Sequence, residues 1–251
     1  MTDGDTTAGT LLDGKVTFEQ PARGYRAAID SILLAAAVPV TSGRALELGA
    51  GSGAASLCLA WRNPELTLMA VEIDPTSAAQ ARRNVAANGF AARVEVILAD
   101  VAAPPPELQG AFDGVFFNPP FDLPERASPS PDGDKRRAHV EGAEKLAAWI
   151  ATARRCLKPR GRLTLIHRAD RLPEILALLH AGFGDIEILP LWPMRGRSAK
   201  RLILRARLAA RGGAVLQAGL VLHDASGGFT AAAERVLRGG VAFDTACAAD
   251  A

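Results

Sequence analysis

Apolar positions along the chain follow two rhythms. Short dense runs of Val, Ile, Leu and Phe stand between glycine, proline and acidic residues, and longer stretches follow in which Ala and Leu return every three or four positions. The first rhythm marks buried strands and the second marks helices with one apolar face. Strands are predicted at Arg44–Leu48, Leu66–Glu72, Val94–Leu98, Asp113–Phe117 and Arg162–Ile166, with two more near 185–191 and 201–207. A helix carrying Ala28, Ile32, Ala35 and Ala36 precedes the first strand, and another runs from the glycines after Leu48 through Trp61. A third is capped by Asp74, has Pro75 at its first position and ends at Gly89. Leu146, Trp149, Ile150, Ala153 and Leu157 share one face of a fourth, and a fifth fits between the strands ending at Ile166 and beginning near 185. Strand and helix alternate until the last two strands, which follow each other directly. That order predicts an α/β fold with a seven-stranded, mostly parallel sheet, helices on both faces and an antiparallel last strand.

The ends carry weaker signals. Residues 1–14 read as a flexible N-terminus, 15–43 as a helical cap, 15–240 as one domain, Leu216 to Arg238 as a strand and a short helix, and 241–251 as a flexible C-terminus. Residues 122–140, rich in Pro, Ser, Asp, Lys and Arg, read as a loop at the active site. A length of 251 residues leaves no room for a second full domain, and a hydrophobic share of 49% excludes wholesale disorder. The net charge of +2 names no partner, so only the distribution of charge can do so. Cys58, Cys156 and Cys247 are odd in number and far apart, which argues against a disulfide framework and favours a reducing cytoplasm. Met1–Gly14 has neither the basic start nor the apolar core of a secretory signal, and no apolar run approaches about 18 residues, so no membrane association is expected. His139, His167, His180 and His223 have no Cys or carboxylate partner at ligand spacing, so no metal is expected.

Chemistry concentrates where the predicted strands end. Asn118-Pro119-Pro120-Phe121 follows the run Val115-Phe116-Phe117. Two prolines remove two backbone donors, leaving carbonyls free to accept from a ligand, while the amide and the ring suit a flat NH2-bearing molecule. Upstream, Gly49, Gly51 and Gly53 form a turn that lets a ligand approach the backbone. With Ala54 the turn satisfies the loose dinucleotide pattern, so a Rossmann dehydrogenase is a rival here. Glu72, about twenty residues on, has the spacing of a carboxylate that takes ribose hydroxyls. Glu47 places an acid before the turn, which favours a cationic or zwitterionic ligand over a pyrophosphate. S-adenosylmethionine, a sulfonium with an α-amino group, fits that better than a dinucleotide, and Asp100 is positioned to accept from its adenine amine.

Leu46 to Gly53, Val71-Glu72-Ile73-Asp74 and Asn118 to Phe121 together resemble the Rossmann-like class I S-adenosylmethionine-dependent methyltransferases that modify planar amines. Gln20-Pro21, Gly24-Tyr25-Arg26, Ile29 to Ala36, Pro193 with Gly196 to Arg201, and Leu222-His223 with Gly228-Phe229-Thr230 narrow the likeness. They are similar to the bacterial tRNA(Val) adenine-37-N6 methyltransferases, over roughly residues 15 to 240. The resemblance implies catalytic roles for Asn118, Pro119, Pro120 and Phe121, the ring stacking on a base turned out of its stack. It also implies cofactor contacts from Tyr25, Asp30, Glu47, Gly49, Gly51, Gly53, Glu72, Ile73, Asp100, Val101 and Asn118. A tRNA partner draws on Lys135, Arg136 and Arg137 in the loop and on Arg195, Arg197, Lys200, Arg201 and Arg205, with a monomeric enzyme expected. Rival readings are a ribosomal guanine-N2 methyltransferase, which typically has His where this chain has Asp122, a protein glutamine-N5 methyltransferase, and an RNA-binding module without catalysis.

Overall fold

The computed structural model describes residues 6–21, 29–120 and 146–248. It opens with an antiparallel hairpin, β1 (Thr6–Leu11) and β2 (Val16–Pro21), turned through Leu12, Asp13 and Gly14 at positive φ. Leu12, Val16 and Phe18 are buried in the core beside residues of the helices. The expected flexible N-terminus is therefore corrected over 6–14. Its small, polar residues hide a strand that gains its stability from helices formed far along the chain. Likewise the expected helical cap begins as strand β2 and is helical in α1 (Ile29–Ala37).

The sheet elements then follow in the order expected: β3 (Gly43–Leu48), α2 (Ala54–Arg62), β4 (Leu66–Glu72), α3 (Pro75–Ala87), β5 (Val94–Leu98) and β6 (Phe112–Phe117). After them come α4 (146–156), β7 (Leu157–Arg168), α5 (Leu172–His180), β8 (Phe183–Met194) and β9 (Arg201–Leu208). The last elements are β10 (Ala214–Leu216), β11 (Leu220–His223), α6 (Ala231–Leu237) and α7 (Phe243–Ala248). Across the sheet the strands lie in the order β5-β4-β3-β6-β7-β9-β8, with β9 antiparallel to both its neighbours. These are the seven strands read from the sequence. Two short additions, β10 and β11, pair parallel with successive parts of β8 and extend that edge. The C-terminal stretch expected to be flexible contains α7, held by buried Phe243 and Ala246.

Alternation along the strands divides the core into two layers. On β9, Leu202, Leu204 and Ala206 join the layer that packs on α4 and α5, while Ile203 joins the layer under α1, α2, α3 and α6. Asp74 caps α3 by accepting from the Ser77 N–H at 2.8 Å, with Pro75 at the first helical position as its sequence implies. Among the described residues no helix is long and apolar enough to cross a membrane.

Candidate active site at the carboxyl edge of the sheet

Strand register brings the sequence motifs together. Leu48 pairs with Val71 on one side and Phe117 on the other, so the glycine turn after β3 lies between Glu72 on β4 and Asn118 after β6. Neighbouring strands sit about 4.8 Å apart, a spacing that puts all three within reach of one small molecule. Gly49, Gly51 and Gly53 have φ of 67°, 55° and 89°, a left-handed backbone that strains residues with a Cβ. Their surroundings differ. A Cβ on Gly49 would meet Cη2 of Trp149 at 2.3 Å, whereas one on Gly51 would have nothing within 4 Å. Gly51 is thus the bare stretch of backbone that a ligand can approach.

The acids that flank the turn are anchored within the fold. Glu72 is buried; its Oε2 accepts from the Gly51 N–H at 2.7 Å, and its Oε1 accepts from the Ile73 and Asp74 N–H groups, each at 2.9 Å. It therefore fixes the turn against β4 and keeps part of its acceptor capacity for hydroxyls at the same edge. Glu47 is buried beneath the turn and its Oε2 accepts from the Ser56 N–H at 3.0 Å and from the Ser56 hydroxyl. Burial pushes its carboxyl up to about 8, against hydrogen bonds from Ser56 that lower it, with nearby Glu72 adding repulsion. Near pH 7 Glu47 is thus largely uncharged, which corrects the view of it as a standing negative charge: burial at the end of a strand outweighs its acidity.

Beyond β5, exposed Asp100 accepts from the Ala102 N–H at 2.8 Å, and buried Val101 presents its carbonyl to the Thr152 hydroxyl at 2.8 Å. Ile73 is 62% exposed beside Glu72, an unusual position for a large apolar residue and one suited to a flat ring. At the corner Asn118 is half-buried, Pro119 buried and Pro120 exposed. One strand further, buried His167 accepts at Nδ1 from the Arg168 N–H at 2.9 Å. Burial, reinforced by Arg171, brings its imidazole down to about 4, so it is neutral at pH 7. Among the described residues no group of His, Cys, Asp and Glu is arranged to hold a metal.

Several predicted residues have other partners. Asp30, buried in the first turn of α1, pairs with Arg201 at 3.0 Å, which joins an expected cofactor residue to an expected RNA residue. Arg205 is corrected outright: its side chain is 7% exposed, donates to the Ala37 carbonyl at 2.6 Å and pairs with Glu187 at 3.1 Å and Asp244 at 2.9 Å. It is a cross-brace of the fold, because Arg205 sits on the sheet face that α1 and α7 cover. Arg195, Arg197 and Lys200 are exposed in the turn from β8 to β9, at the same edge as the corner. Tyr25, Phe121, Lys135, Arg136, Arg137 and the 122–140 loop lie outside the described residues.

Two residues to which sequence reasoning assigned no role at the site help to build it. Asn84 on α3 donates to the Glu19 carbonyl at 2.8 Å and the Ser52 carbonyl at 2.9 Å, and accepts from the Glu19 N–H at 2.9 Å. It ties the hairpin to the glycine turn; a polar residue on the buried face of a predicted helix was the available signal. Trp149 on α4 meets Phe117 edge-to-face at 5.5 Å, a contact for which helix periodicity gave only a core position.

The methyltransferase small domain family matches residues 26–190. The chain belongs to that family. It is 36% identical over 133 residues to the tRNA1(Val) (adenine(37)-N6)-methyltransferase of Porphyromonas gingivalis strain W83, covering 52% of this chain and 51% of that protein. The matched part thus spans about half of that relative's length. The Aeromonas hydrophila protein of the same description is 32% identical over 213 residues, 80% of this chain and 84% of that one. Among solved structures, a predicted O-methyltransferase of Agrobacterium tumefaciens superposes with a TM-score of 0.71 at 29% identity, covering 85% of this chain and 97% of the other. For a methyltransferase small domain, the motif-bearing edge described above is the carboxyl edge where open α/β sheets place their ligands.

Proposed function

We propose that this chain is an S-adenosylmethionine-dependent methyltransferase that modifies the exocyclic N6 amine of an adenine in tRNA, adenine 37 beside the anticodon. The observation that carries the reading is register: the glycine turn and Asn118-Pro119 stand on neighbouring strands at one edge. The relatives' substrate supplies the nucleic acid. The residues present fit the cofactor. Gly51 offers unobstructed backbone, Glu72 holds acceptor oxygens beside it, and buried Glu47 stands ready to ionise beneath an incoming ammonium. When bound, S-adenosylmethionine supplies an electrophilic methyl group.

The chain's own groups would activate the amine. An exocyclic aromatic amine is a weak nucleophile because its lone pair is delocalised into the ring. The Asn118 side-chain oxygen and the Pro119 carbonyl accept its two N–H bonds, which concentrates density on nitrogen and holds it in line with the methyl group. No strong base is needed, since the nitrogen becomes strongly acidic only as the new bond forms and its extra proton can then pass to solvent water. Phe121 stacks on the flipped base, and Arg195, Arg197 and Lys200 contact phosphates along the same edge.

Incubating the protein with labelled S-adenosylmethionine and total RNA from a strain lacking its gene, then digesting to nucleosides, tests this. Label in N6-methyladenosine from tRNA is the expected result. Label in N2-methylguanosine, or in protein glutamine when extract replaces RNA, would replace the adenine reading with one of its rivals. Absence of any calorimetric heat with the cofactor would favour a binding module.

A further inference from the structure

Helix α4 reaches the carboxyl ends of three different strands of the candidate site. Trp149 abuts Gly49, where a Cβ would come within 2.3 Å of its Cη2, and meets Phe117, the residue before Asn118, edge-to-face at 5.5 Å. One turn along the same helix, Thr152 donates its hydroxyl to the Val101 carbonyl at 2.8 Å, beyond β5. The indole therefore touches both the glycine turn and the strand end that carries the Asn-Pro-Pro corner, a side-chain link that runs beside the direct pairing of Leu48 with Phe117. Interiors are close-packed, so a large ring seated between the Gly49 backbone and the Phe117 side chain transmits a shift of one to the other. The glycine at 49 follows from this: its bare backbone lets the indole seat against the turn.

The geometry points to Trp149 as a positioning residue that couples cofactor binding at the glycine turn to the alignment of the Asn118 corner. The inference rests on the methyltransferase reading and deepens it. Trp149 touches neither reactant in this account. Its effect is on where the amine's acceptors stand when the cofactor is in place, so losing it should act on turnover more than on cofactor affinity. Misplacement of a reacting group by about 1 Å can cost on the order of a hundredfold in rate.

The test compares wild type, Trp149→Ala and Trp149→Phe by calorimetry with S-adenosylmethionine, by methyl transfer to RNA, and by hydrogen exchange of peptides spanning 45–57 and 112–118. In wild type, cofactor should slow exchange in both peptides. In Trp149→Ala, protection of the glycine turn should persist while that of the corner is lost, with turnover down about tenfold to a hundredfold and cofactor Kd changed less than about threefold. Trp149→Phe keeps a ring against Gly49 and should restore corner protection and most of the turnover; recovery of melting temperature without recovery of corner protection would overturn the inference and reduce Trp149 to packing. Corner protection unchanged in Trp149→Ala would overturn the inference and leave the enzyme assignment standing. So would parallel losses of melting temperature, cofactor affinity and turnover in both variants. A wild-type chain giving no heat with S-adenosylmethionine would instead remove the methyltransferase reading and this inference with it.

Discussion

At the scale of single residues, the acceptors at the corner and the acid beneath the turn make separable demands. Asn118→Ala should lower turnover about a hundredfold to a thousandfold with little change in S-adenosylmethionine affinity, because its oxygen acts on the amine in the transition state. Single-turnover kinetics beside calorimetry would check this, and an equal loss of cofactor binding would contradict it. Glu47 has a native value of about 8 against an ordinary 4.5, so the unfolded chain gives up a proton that the native one keeps. Its contribution to stability is complete below 4.5 and is lost as pH rises through about 8. Melting temperature should accordingly fall between about pH 4.5 and 8 in wild type and fall less in Glu47→Gln, which mimics the protonated acid. The glycines also separate. Gly49→Ala drives a Cβ into Trp149 and should destabilise the fold by about 3 kcal/mol. Gly51→Ala should cost about 1 kcal/mol of stability, from its left-handed backbone, and act chiefly on cofactor binding.

At the scale of elements, the strands of the sheet were legible because fully buried strands leave dense apolar runs bounded by breakers. Leu66–Glu72 and Val94–Leu98 form as read, and the Asp74-Pro75 helix start is capped as its residue types require. The N-terminal hairpin was not legible. Thr6–Leu11 has a weak apolar signature, and the hairpin is held by side chains far along the chain: Asn84 bonds to Glu19, and Asn88 exchanges hydrogen bonds with Thr17 at 2.9 and 2.7 Å. Asn84→Ala removes two of these bonds and a third, to the Ser52 carbonyl, at a buried site and should destabilise the protein by about 3 kcal/mol. Hydrogen exchange should accelerate first in β1 and β2, whereas uniform acceleration throughout the sheet would show that the hairpin and the sheet unfold as one unit.

For the whole molecule, the basic residues that looked alike in sequence divide by depth. Arg205 braces β8, β9, α1 and α7, so Arg205→Met should cost about 1–2 kcal/mol in denaturant unfolding, from the lost bond to the Ala37 carbonyl and from ion pairs whose carboxylates stay partly in water. Arg195, Arg197 and Lys200 are exposed beside the site, so replacing all three with Ala should leave melting unchanged. It should also weaken RNA binding and flatten the slope of log affinity against log salt by about 2. An unchanged slope would reduce that turn to solvated surface.

The sequence by itself determined the order of the sheet elements, the glycine turn, the acids at the strand ends and the Asn-Pro-Pro corner. Each of these is written in local residue types that act over a few positions. It did not decide which charged groups face water, whether Glu47 carries its charge, or what seats against Gly49. Those depend on desolvation and contact between segments distant in the chain: α1 and α7 turn Arg205 from a surface cation into a brace, and α4, on the other layer, brings Trp149 between the two halves of the site.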